Sequence, residues 1–171
     1  MTTTPEAALG KPSFSLVDHH GTRVTDKTYR GRWTLVFFGF TNCKVVCPRA
    51  LQKLSAVLDE LGDLADELRP LYITVDPDRD TPEALREFLR PHPRFTGLTG
   101  STEAIEHAKR EFRVFARRKA DPDDPDGYSV PHTAITYLIS PEGQYAAHFP
   151  DALTVTEITT GVRDSLAPQC H

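Results

Sequence analysis

Apolar residues in this chain fall into runs with two different periods, and the periods mark out its elements. Trp33 to Phe38 is a nearly unbroken apolar run, which predicts a strand buried on both faces, and Gly39 punctuates its exit. From Arg49 the spacing becomes helical: Leu51, Leu54, Val57, Leu58 and Leu61 predict a helix over about Pro48 to Leu61. Pro48 suits its first turn, where a missing N–H costs nothing. Arg69 to Val75 predicts a second buried strand. Thr81 then reads as an N-cap, with Pro82 and Glu83 opening a helix to about Leu89 that Pro91 and Pro93 stop. Gly97 to Gly100 is expected to be a turn. It leads into a helix capped by Ser101, with Ile105, Ala108 and Phe112 facing inward, and Val114-Phe115 is expected as a short strand. Thr133 to Ile139 is a strong strand, Pro141-Glu142-Gly143 turns, and Gln144 to Phe149 pairs back. Val155, Ile158, Val162 and Leu166 stripe a last helix over Val155 to Leu166.

Ahead of all this, Phe14–Val17 and Arg23–Thr25 alternate around Asp18-His19-His20-Gly21, the pattern of a β-hairpin, and Thr28 to Arg32 reads as a connector. His19 and His20 on that turn are expected to be exposed loop histidines, not metal ligands. Residues Ala120 to Gly127 read as a solvated acidic loop. The order is hairpin, β, α, β, α, α, β-hairpin, α. It predicts an α/β fold, a thioredoxin-like sandwich with an N-terminal β-hairpin, a central mixed sheet and flanking helices. Residues 1–11 are expected to be a flexible tail, 12–167 one domain and 168–171 a C-terminal tail.

Composition narrows the functional classes. At 171 residues the chain has room for one proper core. With 24 acidic against 20 basic residues and no basic stripe, a nucleic-acid partner is not expected. The longest apolar run, Trp33 to Phe40, is too short to cross a membrane. Met1 to Leu9 is small and polar, without the apolar centre of a signal peptide, so the chain reads as soluble as given. Three cysteines are too few for a disulfide scaffold.

Two of those cysteines make a site. Cys43 and Cys47, with three residues between them, lie on the turn from the buried strand into the helix. The dipole and free N–H groups of a helix start favour thiolate over thiol. Cysteines that merely pack rarely come paired on a polar turn. In open α/β sheets chemistry gathers beyond the carboxyl ends of strands, where this turn falls. A reversible disulfide, a soft metal site and a nucleophile all fit, and the spacing does not choose among them. His132, just ahead of the strong strand in Val130-Pro131-His132-Thr133, offers an imidazole to a metal already held by two thiolates.

Four separated motifs carry a resemblance. GRWTLVFFGFTNCKVVCP, YITVDPDRDTPEAL, GLTGSTEAI and, after the acidic loop, VPHTAITYLISPEG occur here in the order and spacing of the Sco (SenC) family of copper proteins. The similarity covers roughly residues 12 to 167. It implies a thioredoxin-like fold and one copper, Cu(I) or Cu(II), held by Cys43, Cys47 and His132, with Asp76 nearby as a tuning carboxylate. It implies help in assembling the dinuclear copper centre of cytochrome c oxidase, with the oxidase's copper-bearing subunit as partner and another copper chaperone as donor. It also implies the extracytoplasmic face of a membrane: the periplasmic side in a bacterium, or the mitochondrial intermembrane space. There an N-terminal membrane anchor is expected upstream of the residues present here.

Two positions depart from the family pattern. Lys44 stands where many relatives have proline, and Pro131 where some have an acid before the histidine. Cys170 and His171 lie in the C-terminal tail, outside the resemblance. Two further functions compete with a copper chaperone. A thiol–disulfide oxidoreductase acting on the cysteines of the oxidase's copper subunit would use Cys43 and Cys47 but not His132. A peroxidase would need one attacking cysteine with a hydroxyl and an arginine beside it, which the pair fits less well.

Overall fold

The computed structural model describes residues 10–39, 46–114, 119–120, 128–129 and 135–167, with backbone alone at 46–48, 119–120 and 128–129. The residues read as tails at 1–9 and 168–171, as the acidic loop at 121–127, and Phe115 lie outside the described residues. β1 (Ser15–Asp18) and β2 (Arg23–Thr25) form the expected hairpin. The Asp18 carboxylate accepts the N–H groups of His20 and Thr22, both at 2.9 Å, and so ties the turn to itself. There follow β3 (Trp33–Gly39), α1 (Val46–Leu61), β4 (Leu68–Thr74), α2 (Pro82–Phe88), β5 (Thr96–Thr99) and α3 (Thr102–Phe112). A short pair, β6 (Lys119–Ala120) and β7 (Tyr128–Ser129), precedes β8 (Ile135–Ile139), β9 (Tyr145–Pro150) and α4 (Val155–Leu166).

Seven strands make one mixed sheet in the order β2-β1-β5-β4-β3-β8-β9. β3, β4 and β5 are parallel, so their carboxyl ends, Gly39, Thr74 and Thr99, lie along one edge. β1 runs antiparallel to β5, and β8 antiparallel to β3. Register sorts the side chains by face. Val36 pairs with Tyr137, so Val36, Phe38 and Tyr137 share one face. Phe112 of α3 packs there, its ring 5.3 Å from that of Phe38 and 5.4 Å from that of Tyr137. Phe37, Tyr72, Thr136 and Phe149 share the other face. Phe88 of α2 meets Tyr72 at 5.5 Å, and Gly161 of α4 leaves room for the Phe149 ring. α1 packs against α4, and Lys53 of α1 donates to the carbonyls of Asp151 and Leu153 at 2.6 and 2.9 Å. Helices thus cover both faces, giving the α/β sandwich that the element order predicts.

Caps hold where the sequence signals them. Thr81 and Ser101 accept from Ala84 N and Ala104 N, each at 3.1 Å. Thr154 and Glu157 form a capping box on α4.

Four local expectations are corrected. Residues 96–99 form β5, which takes in most of the turn expected at Gly97 to Gly100. It is too short to show periodicity, and its glycine serves packing: a Cβ on Gly97 would stand 2.9 Å from Leu89 Cδ1 and 3.1 Å from Leu85 Cβ. Gly97→Ala is therefore expected to destabilise by about 1–3 kcal/mol, the range for overpacking. An unchanged denaturation midpoint would show that α2 does not sit that closely on β5. Second, α1 begins at Val46, two residues before Pro48. Proline is tolerated anywhere its N–H would have lacked a helical partner, and the whole first turn qualifies. Third, Val114 ends α3 instead of forming a strand: Arg113 takes a left-handed φ of 60°, and Val114 N–H donates back to Lys109 O at 2.8 Å. Fourth, part of the expected connector is a 3₁₀ turn, Asp26–Tyr29, capped by Thr25. Among the described residues, no helix is long and apolar enough to cross a membrane.

Candidate metal and thiol site

The β3 strand delivers the chain to the candidate turn, and α1 takes it away. Of the four residues proposed from the sequence, the structure locates two. Cys47 is described by its backbone alone, as the second residue of α1, within the first turn where helix N–H groups are unpaired. Asp76 is fully described. Cys43 and His132, with Lys44, Pro131, Cys170 and His171, lie outside the described residues. Among the described residues, no group of three or more His, Cys, Asp or Glu is gathered closely enough to hold a metal ion.

Asp76 sits at the edge where the turn begins. Val75 N–H donates to Gly39 O at 2.8 Å, extending the β3–β4 pairing by one more bond. The chain then folds over the carboxyl ends of β4 and β5. Asp76 N–H donates to Thr74 Oγ1 at 2.9 Å, and Thr74 Oγ1 donates to Asp80 Oδ2 at 2.7 Å. Thr99 Oγ1 donates to Asp80 O at 2.8 Å, and Asp80 N–H to Asp76 O at 3.0 Å. The Arg79 guanidinium forms an ion pair with Asp76 Oδ2. Asp76 and Asp80 are both buried, at 2% and 0% exposure. Buried carboxylates need such partners, because an uncompensated charge there is strongly destabilising.

Thr74, Arg79 and Asp80 belong to this network, and reading the sequence singled out none of them. Their signal was the DPDRD cluster directly after a buried strand, where hydroxyl and guanidinium partners for a buried acid are to be sought. His132, expected just before the strong strand, precedes β8, which begins at Ile135 and pairs with β3.

The hairpin histidines divide. His20 is exposed, as expected, but His19 is half-buried. Its Nδ1 accepts Gly97 N–H at 2.9 Å and its carbonyl accepts Arg86 Nη1 at 2.9 Å, so it fastens the hairpin to β5 and α2. Burial, helped by the neighbouring His20, lowers its pKa from the ordinary 6.5. His92, paired with Ser55 Oγ at 2.9 Å, is lowered by burial alone. A lowered pKa means that the unfolded chain takes the proton first. Stability should therefore be complete above pH 6.5 and fall as pH drops below it, before the carboxylates titrate. Urea unfolding across that window checks this, and His19→Asn should flatten the slope. A rise in stability on acidification would contradict it.

Comparison with known proteins places the chain. The SCO1/SenC family model matches residues 2–167. The human mitochondrial SCO1 homolog is 39% identical over 167 residues, covering 94% of this chain. The chain spans 55% of that relative's length, so just over half of it is compared. The structure of Arabidopsis thaliana ScoI with copper bound superposes with a TM-score of 0.85 at 36% identity, covering 90% of this chain and 96% of that one. BsSco, described as a member of the Sco family of cytochrome c oxidase assembly proteins with a disulfide switch, matches at a TM-score of 0.71 and 26% identity. That match covers 91% of this chain and 92% of the other. With a family model matched over residues 2–167, and a relative 39% identical over 94% of this chain, the chain belongs to the SCO1/SenC family.

Proposed function

We propose that this chain is a copper-binding metallochaperone that helps assemble the dinuclear copper centre of cytochrome c oxidase, carrying copper on the thiolates of Cys43 and Cys47 and the imidazole of His132. The observation that carries the reading is Cys47 in the first turn of α1, the helix that follows β3 in the chain. Helix starts lower thiol pKa values, and copper needs its thiol ligands deprotonated. Two soft thiolates and an imidazole suit Cu(I), and the same set can hold Cu(II). The copper-bound relative supports the cargo, and the assembly role described for BsSco supports the destination.

Asp76 fits a tuning role better than a ligand role. Its carboxylate is engaged by Arg79 and its backbone by Thr74, so it acts on the copper turn through charge and position. The copper-bearing oxidase subunit is the proposed acceptor, and another copper chaperone the donor. The proposed location is the extracytoplasmic face of a membrane, with an anchor upstream of the domain at 12–167.

One observation favours a second reading. The disulfide switch described for BsSco, together with Cys47 in the first turn of α1 and Cys43 four positions before it in the sequence, suits a thiol–disulfide oxidoreductase acting on the same oxidase subunit.

Copper titration of the reduced chain tests the first reading. One copper per chain is expected, with a thiolate-to-Cu(II) charge-transfer band, and Asp76→Ala should keep that stoichiometry while changing Cu(II) stability. Absence of stoichiometric copper in the wild type would overturn the reading. Its complete loss in Asp76→Ala would move Asp76 into the ligand set.

A further inference from the structure

A group of side chains well inside the described core plays no part in the copper reading. On β8 and β9 the pairing runs Leu138 with Ala147 but Ile139 with Tyr145, so Ala146 is an extra residue and the strand carries a β-bulge. In a regular strand Tyr145 and His148, three positions apart, would face opposite sides. The bulge turns Tyr145 onto the side of His148. There the Tyr145 hydroxyl is hydrogen-bonded to His148 Nδ1, with the two rings stacked at 6.1 Å.

Aromatic contacts continue inward from this pair. Tyr145 lies 6.4 Å from Tyr137, Tyr137 lies 5.4 Å from Phe112, and Phe112 lies 5.3 Å from Phe38. Phe38 is the last aromatic of β3, one residue before Gly39 and the cysteine turn. Tyr145 is 2% exposed, whereas His148 is half-buried and reaches the protein's edge.

We propose that Tyr145 and His148 form a proton-coupled redox site, where one-electron oxidising equivalents that enter the core come to rest as a neutral tyrosyl radical. The step balances as follows. A one-electron oxidant, such as a thiyl radical or a ruthenium(III) complex, gains one electron. The Tyr145 phenol loses that electron, and its O–H bond breaks. The proton passes along the existing hydrogen bond to His148 Nδ1, leaving a neutral phenoxyl and an imidazolium. A thiol or enediol reductant later returns the electron, and the proton goes back.

Physical chemistry favours this pair over the neighbouring phenol of Tyr137. A buried phenol that lost an electron alone would leave an uncompensated positive charge in apolar surroundings. The imidazole removes that charge and carries it to the solvent edge. It is the Tyr145 hydroxyl that meets a ring nitrogen, and Tyr137 enters as a ring contact between Tyr145 and Phe112. The inference is independent of copper binding.

Flash photolysis of the full 171-residue chain with a ruthenium(II) polypyridyl sensitiser and an electron-accepting quencher tests it, with the thiols alkylated so that they do not consume the oxidant. The wild type should give a long-lived tyrosyl radical, read by its visible absorption and electron paramagnetic resonance, and formed with a solvent deuterium isotope effect. Tyr145→Phe, which removes one oxygen atom, should lose that long-lived species. His148→Gln keeps a hydrogen-bond acceptor but no base. It should slow radical formation by about a hundredfold or more, the scale of a positioned proton acceptor. A long-lived radical that survives in Tyr145→Phe would overturn the proposal. So would equal formation rates in wild type and His148→Gln. If the glutamine variant does not fold, the wild-type isotope effect decides: its absence refutes proton coupling.

Discussion

Replacing Phe38 by alanine should lower the unfolding free energy by about 3–5 kcal/mol, the range for a fully buried phenylalanine in a packed core. Phe38 has 0% exposure and lies near the end of the central strand. Its ring meets Phe112 of α3 edge-on at 5.3 Å and Tyr137 of β8 at 6.4 Å. Truncation would remove the ring's hydrophobic transfer energy and leave a cavity between three elements that cannot all collapse into it. The effect should also reach the site, because Gly39 O, one residue further on, anchors Val75 beside Asp76. Guanidinium unfolding should show a lower midpoint at an unchanged slope. A loss below about 1 kcal/mol would mean that the face shared by Val36, Phe38 and Tyr137 is not packed as described.

Cys43→Ser and Cys47→Ser should each abolish stoichiometric copper binding. A serine hydroxyl stays protonated near neutrality and is a hard donor, whereas copper in either state favours thiolate. The loss of a direct ligand should exceed the roughly 10–100-fold that outer partners are worth. Competition against a Cu(I) chelator would read this, with Cys170→Ser as a control that leaves copper binding unchanged. Wild-type affinity in both serine variants would remove the turn from the site.

Much of the fold was legible because its longest elements are strongly periodic. β3 announced itself by an apolar run, α1 and α4 by helical stripes, and α2 and α3 by Thr81 and Ser101 at their caps. β5 was not legible. Four residues carry no period, and Gly97 and Gly100 look like turn residues. Gly97 is a glycine because α2 leans on the strand, a reason found only in three dimensions. His19 was misread for a related cause: its Nδ1 bond to Gly97 N–H joins positions 78 residues apart, which no local pattern encodes. The bulge at Ala146 is another such case, visible only in the register of two strands.

At the candidate site, the strand before the cysteines and the helix after them were legible from their periods, while residues 40–45 between them lie outside the described residues. The acid after β4 was legible through its motif. What holds that acid was not: Thr74, Arg79 and Asp80 read as ordinary polar residues until the ends of β4 and β5 bring them together.

The central claim is that Cys43 and Cys47 serve copper with His132, and not disulfide exchange alone. An imidazole supplies nothing that thiol exchange needs, whereas Cu(II) calls for more donors than two thiolates. The most direct measurement is copper transfer from His132→Ala to a soluble copper-bearing oxidase domain, run beside reduction of that domain's disulfide. The variant should keep the Cys43–Cys47 disulfide, much of its Cu(I) binding and its reducing activity, and lose stable Cu(II) and copper transfer. Copper transfer that survives while disulfide reduction fails would contradict the chaperone assignment and put the oxidoreductase in its place.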